Sequence, residues 1–165
     1  MKKIGYRILA LVLAVCLLAG CKTQEVTHQT VSVEGFSITI PAQMINVGED
    51  GYYEGWEITY SYGGTELLVG KEEIPEQEDP SELLSELDYA QLVAYYYQAS
   101  PRVRQRENPA ILTYTLPGEI ENYTYLTAVY LGSDAYWTVM ICCPETAFPE
   151  MESEFMTYLA SVKVD

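Results

Sequence analysis

The sequence predicts an α+β domain, a three-layer α/β/α sandwich on a largely antiparallel sheet. Three observations carry that expectation. First, strand-like alternation recurs in short runs, as where Phe36, Ile38 and Ile40 alternate with Ser37 and Thr39. Second, the runs 123–131 and 135–143 are apolar on both faces, with Trp137, Val139 and Ile141 on one and Tyr136, Met140 and Cys142 on the other. A strand buried on both sides needs a layer above and a layer below its sheet. Third, Phe148, Met151, Phe155, Leu159 and Val162 recur at three- and four-residue steps, the pattern of an amphipathic helix over 149–160.

Taken in order, the β pattern starts at Val31, and its first clear strand, Phe36 to Ile40, ends at Pro41. The next is Tyr52 to Tyr62, whose even positions carry Tyr52, Trp56, Ile58, Tyr60 and Tyr62 and whose odd positions are mostly small or polar. Gly63-Gly64 then suits a two-residue hairpin turn, because glycine tolerates positive φ. Thr65 to Glu73 is the returning strand. The acidic stretch 74–82 leads into a helix over 81–99, with Asp79 as cap, Pro80 at its first position and Glu82 closing a capping box. Leu83, Leu84, Leu87, Ala90 and Ala94 share one side of it. Asp88 and Gln91 equally allow a second helix to restart after a bend, so the pattern leaves open one helix or two. Strand material over 102–114 is broken at Asn108-Pro109. Gly132-Ser133-Asp134 is a turn sequence between the last two strands. No internal repeat and no second domain is visible.

The first twenty residues have a different character. Lys2, Lys3 and Arg7 precede Ile8 to Ala19, a run of twelve residues without charge. As a helix it covers about 18 Å, short of a hydrocarbon core of about 30 Å, which suits a secretory signal rather than a membrane span. Leu18-Ala19-Gly20-Cys21 resembles the lipobox of bacterial lipoproteins. That resemblance implies cleavage before Cys21 and a diacylglyceryl group on its sulfur. The expected organisation is therefore a signal peptide over 1–20, a lipidated tether over 21–30 and a domain over 31–165. It places the protein on the cell membrane, lipid-anchored, facing outside the cytoplasm.

Residues 21–165 carry six basic and 24 acidic side chains, a net charge of −18. A domain so acidic is a poor partner for nucleic acid. The expected partners are the membrane, through the lipid on Cys21, and an envelope protein.

The order of elements, from the strand ending in Pro41 to the final strand, loop and helix ending in Ser161-Val162-Lys163, resembles the PsbP-like fold. That fold serves an extrinsic photosystem II subunit, a Ran-binding nuclear import factor and many small bacterial lipoproteins. The resemblance implies a scaffold used for docking to other proteins and transfers no catalytic residue.

Candidate chemistry is sparse. His28, the one histidine, falls in the tether and is read as solvated, so neither a catalytic triad nor a histidine metal cluster is available. No cofactor and no metal is expected. Cys142 and Cys143 are either buried, unpaired thiols or a redox pair able to form a vicinal disulfide. Side chains adjacent in a strand diverge, whereas Pro144 marks a strand end where they need not. Arg102, Arg104 and Arg106, if extended, form a cationic stripe, either for a partner or neutralised by nearby carboxylates. Tyr95-Tyr96-Tyr97 must expose at least one ring on a helix. The function expected is a non-catalytic protein-binding or scaffold module. The alternative is a small-ligand or redox-sensing module using a pocket near Cys142-Cys143 or the tyrosines.

Overall fold

In the computed structural model, which describes residues 26–48, 55–75, 79 and 81–165, the described residues form two antiparallel sheets and two helices. The main sheet has seven strands in the order β3-β4-β5-β9-β8-β7-β6: β3 (Ile45–Asn46), β4 (Ile58–Tyr62), β5 (Thr65–Glu73), β6 (Arg102–Gln105), β7 (Ala110–Pro117), β8 (Asn122–Leu131) and β9 (Ala135–Pro144). A smaller sheet pairs β1 (His28–Val33), β2 (Phe36–Pro41) and β10 (Lys163–Val164), with β2 in the middle. Helix α1 (Glu86–Tyr96) lies between β5 and β6 in sequence, and α2 (Phe148–Ala160) follows β9.

The two faces of the main sheet bury different clusters, because side chains alternate along each strand. Val139, Ile141, Leu126 and Val69 pack with Ile38 and Ile40 of β2 and Phe155 and Leu159 of α2. On the other face Leu112, Tyr114, Tyr136 and Met140 pack against Tyr89, Ala90 and Ala94 of α1. Every described residue of β9 before Pro144 is buried, as its double-sided apolar pattern requires. The expected sandwich is therefore present, with one refinement: one outer layer is α1 alone, and the other combines α2 with the small sheet.

Local signals account for most boundaries. Gly63 and Gly64 take φ of 60° and 84° between the paired ends Tyr62 and Thr65, the geometry of a two-residue hairpin with positive φ at both positions. Gly132 donates its N–H to the Ala135 carbonyl at 2.9 Å, closing the β8–β9 turn. The chain breaks between β6 and β7 at Asn108-Pro109, as expected from the proline.

Three expectations are corrected. There is one helix in 81–99, and it starts later than Asp79 suggests. Ser85 is its cap: the hydroxyl accepts the Asp88 N–H at 3.2 Å and donates to the Asp88 carboxylate at 2.6 Å. Asp79 instead accepts from the N–H and hydroxyl of Ser81, forming a tight turn that ends before the helix begins. Pro80 lies outside the described residues. Replacing Ser85 with alanine is expected to cost about 1 kcal/mol, measured by chemical denaturation, whereas Asp79→Ala should leave helix stability unchanged.

The second correction concerns Tyr52 to Tyr62. Residues 52–54 lie outside the described residues, and the strand proper begins at Ile58. Ile58 and Thr59 are both buried while Tyr62 is 59% exposed, so alternation fails there. Thr59 is covered because its hydroxyl faces Gly48 and its carbonyl accepts the Val47 N–H at 3.0 Å. Third, the expected tether ends early, for His28 to Thr30 are already strand, paired with Pro41 to Thr39.

Candidate functional site

The face of the main sheet covered by α1 carries an open cleft of about 990 Å³. Its floor is Gly70 and Thr138 from adjacent strands, and its sides are Trp56 and the last two turns of α1. Gly70 is there because Trp56 lies on it: a Cβ at that position would come within 3.2 Å of the indole ring. Trp56 has left the strand pattern and covers the sheet from a turn.

Polar groups enter from one corner. Glu72 pairs with Tyr136 across the strands, so both face α1. The Tyr89 hydroxyl donates to Glu72 Oε2 at 2.5 Å, and the Tyr89 ring stacks on Tyr136 with centroids 4.3 Å apart and planes 5° from parallel. Tyr136 in turn donates to the Leu84 carbonyl at 2.7 Å. Burial, followed by the Glu72 bond, holds the Tyr89 phenol well above its ordinary value, so it stays a donor. Lys71 also lines the cleft, but its ammonium is held on the opposite face of the sheet. It pairs with Trp137, and its Nζ lies 5.6 Å over that indole and 3.5 Å from both Glu73 and Asp134.

The end of α1 forms the mouth. Tyr96 and Tyr97 meet edge to face, centroids 5.3 Å apart at 88°. Tyr95 and Tyr96 are each 80% exposed and Leu92 53%, so a large aromatic and aliphatic surface faces solvent beside the cleft. The helix closes with Gln98 at a φ of 54°; Gln98 N–H bonds to Tyr95 O and Ala99 N–H to Ala94 O, both at 2.9 Å. Glycine is the cheaper residue in that left-handed position, so a glutamine lining the cleft there is a local strain.

The residues singled out from sequence are placed elsewhere. Cys21 lies outside the described residues. Cys142 and Cys143 are buried, free thiols on opposite faces of β9. Cys143 joins the cluster with α2, whereas Cys142 lies beside Tyr125 and Glu66. The structure does not bring the two sulfurs together, and neither cysteine lines the cleft. Burial pushes both thiols up, Cys142 to about 12, so neither is a ready nucleophile.

Arg102, Arg104 and Arg106 do not form a straight stripe. The register between β6 and β7 slips between Val103 and Gln105, leaving Arg104 as the extra residue of a bulge, and Arg106 falls beyond the strand. Arg104 pairs with Glu152 of α2, and Arg102 shares a groove of about 620 Å³ with that pair. A bulge and exposed arginines suit β6 physically, since it is an open edge of the main sheet that would otherwise recruit another strand.

The tyrosine run was visible in the sequence, but its convergence with Trp56, Gly70 and Glu72 was not. That convergence depends on the β5–β9 register and on where α1 crosses it. Among the described residues no group of three or more His, Cys, Asp and Glu is placed to hold a metal ion, and no helix is long and apolar enough to cross a membrane.

No family model matches the chain, and no curated protein matches it in sequence. Solved structures do match in shape. The solution structure of cyanobacterial PsbP (CyanoP) from Synechocystis sp. PCC 6803 is 17% identical with a TM-score of 0.58, covering 88% of this chain and 96% of that one. The Ran-binding protein Mog1p of Saccharomyces cerevisiae is 10% identical with a TM-score of 0.55, covering 85% of this chain and 96% of that one. At these identities the likeness is one of architecture, and the chain has the PsbP-like fold.

Proposed function

We propose that this protein is a non-catalytic binding module of a bacterial cell envelope, held to the membrane by a lipid on Cys21 and facing outside the cytoplasm. The observation that carries the binding reading is the cleft, an apolar hollow whose mouth exposes Tyr95, Tyr96 and Leu92. Exposed aromatic residues beside a pocket are the residue types that anchor protein interfaces. A Ran-binding protein on the same architecture supports a docking role for the scaffold. The membrane reading rests on the charged start, the short apolar run and the Leu18-to-Cys21 box.

The cleft also bears on the alternative. A small-ligand or redox site beside Cys142-Cys143 has no support from the geometry, because those thiols diverge and lie away from the hollow. The binding site is assigned to the tyrosines instead.

Two measurements test the proposal. An alkyne fatty acid fed to cells producing the full chain should label it, and Cys21→Ala should abolish the label and release the protein from the membrane. A photo-crosslinking amino acid at Tyr96 should trap a partner that the same group at exposed Ser153 does not. Undiminished labelling of Cys21→Ala would overturn the anchor, and equal trapping at both positions would overturn the docking surface.

A further inference from the structure

The binding surface has a chemistry that selects its partner. We propose that the cleft receives a cationic side chain, an arginine guanidinium or lysine ammonium, presented by a protein partner. The inference rests on the docking reading and adds what is recognised.

The aromatic faces come first. Tyr96 and Tyr97 stand at right angles at the mouth, and Trp56 lies along the opposite side over Gly70. Three aromatic residues thus line one hollow, and the electron-rich face of an aromatic ring attracts a cation. A carboxylate, that of exposed Glu72, also lines the hollow. Glu72 Oε2 takes the Tyr89 hydroxyl, and Oε1 has no partner among the described residues. The Tyr89 bond fixes the carboxylate's position while leaving it an oxygen for a second donor.

No resident cation competes for the place. Lys71 is the only lysine or arginine between positions 23 and 101, and its ammonium lies on the other face of the sheet with Glu73 and Asp134. Segment 55–99, which supplies every wall but Thr138, holds ten acidic side chains and one basic one. An anionic ligand would enter that field against repulsion, whereas a basic partner is drawn toward it.

The source of the cation follows from the mouth. A free ammonium compound filling the hollow would leave Tyr95, Tyr96 and Leu92 uncovered, a shoulder that a protein surface buries as it inserts one side chain.

The test uses the full chain in detergent micelles, titrated by NMR with acetyl-Gly-Arg-Gly-amide and with its neutral citrulline counterpart. The arginine peptide should shift resonances of Trp56, Glu72 and Tyr96, and the citrulline peptide should bind at least tenfold more weakly. Glu72→Gln should weaken the arginine peptide about three- to tenfold, and Tyr96→Ser, at an exposed position, should weaken it without altering the fold. Equal binding of the two peptides, or no shift at the cleft, would overturn the inference. Tetramethylammonium binding as tightly as the arginine peptide would replace the protein partner with a free ammonium ligand. Continued trapping at Tyr96 while the peptides fail would leave the docking surface standing and remove only its preference for a cation.

Discussion

Trp137→Ala is expected to destabilise the protein by about 3–5 kcal/mol, most of the stability of an ordinary domain. Trp137 is 1% exposed and is among the largest fully buried side chains described. Its ring stacks on Phe36 with centroids 4.9 Å apart, so it joins β9 of the main sheet to β2 of the small one. Gly35 at the β1–β2 turn, where φ is 78°, sits close over the indole; a Cβ there would be 3.5 Å from Cζ2. Alanine would remove the contact between the sheets and leave a cavity that rigid strands on both sides cannot close. Urea denaturation should show a lower midpoint with the same slope, since the surface exposed on unfolding is nearly unchanged. Tyr95→Ala is the control: its ring is 80% exposed, and the cost should stay within about 0.5 kcal/mol. Equal losses for the two variants would mean that the inter-sheet contact does not hold the domain together.

The same contrast between central and marginal elements explains how much of the fold could be read from sequence. Strands β2, β5, β8 and β9 are long enough for their alternation or double-sided apolar character to be visible, and α2 follows its three- and four-residue spacing. By contrast, β1 reads HQTVSV and is half exposed along its length. It is a strand because β2 offers it a full six-residue register, a tertiary reason that local propensity does not carry. The two-residue strands β3 and β10 exist only through their partners. The helix start was misplaced for a different reason: Asp79 and Ser85 are both competent caps, and Asp79 is taken by Ser81. At the candidate site, the three tyrosines declared themselves, but Trp56 reads as one more core residue of an alternating strand. Its role emerges only when Gly70 lets its ring pack over the sheet.

Alkaline solution should unfold the protein before pH 12. Cys142 is 2% exposed, and burial, helped by the nearby Glu66 carboxylate, raises its thiol from 9.0 to about 12. Tyr114 is 4% exposed, and burial raises its phenol from 10.0 to about 12 against the opposing bond from Thr127. Burial also pushes up the phenols of Tyr125 and Tyr130. Each is an acid that the folded state keeps neutral. Its contribution is complete below the unfolded value, near 9 for a thiol and 10 for a phenol, and is lost as the pH climbs toward the folded one. In that window the unfolded chain has released a proton that the native chain still holds. By pH 12 Cys142 alone removes about 4 kcal/mol and Tyr114 about 2 kcal/mol, together comparable to a marginal domain's whole stability. Circular dichroism and tyrosine absorbance should therefore change in one transition, as unfolding releases the buried phenols to ionise. Between pH 9 and 10 only the thiols contribute, so Cys142→Ala should reduce the slope of stability against pH there. A constant stability from pH 9 to 12 would overturn the account. A disulfide-bonded pair would carry no thiol slope between pH 9 and 10, so the same titration tests whether Cys142 and Cys143 remain separate on their two faces of β9.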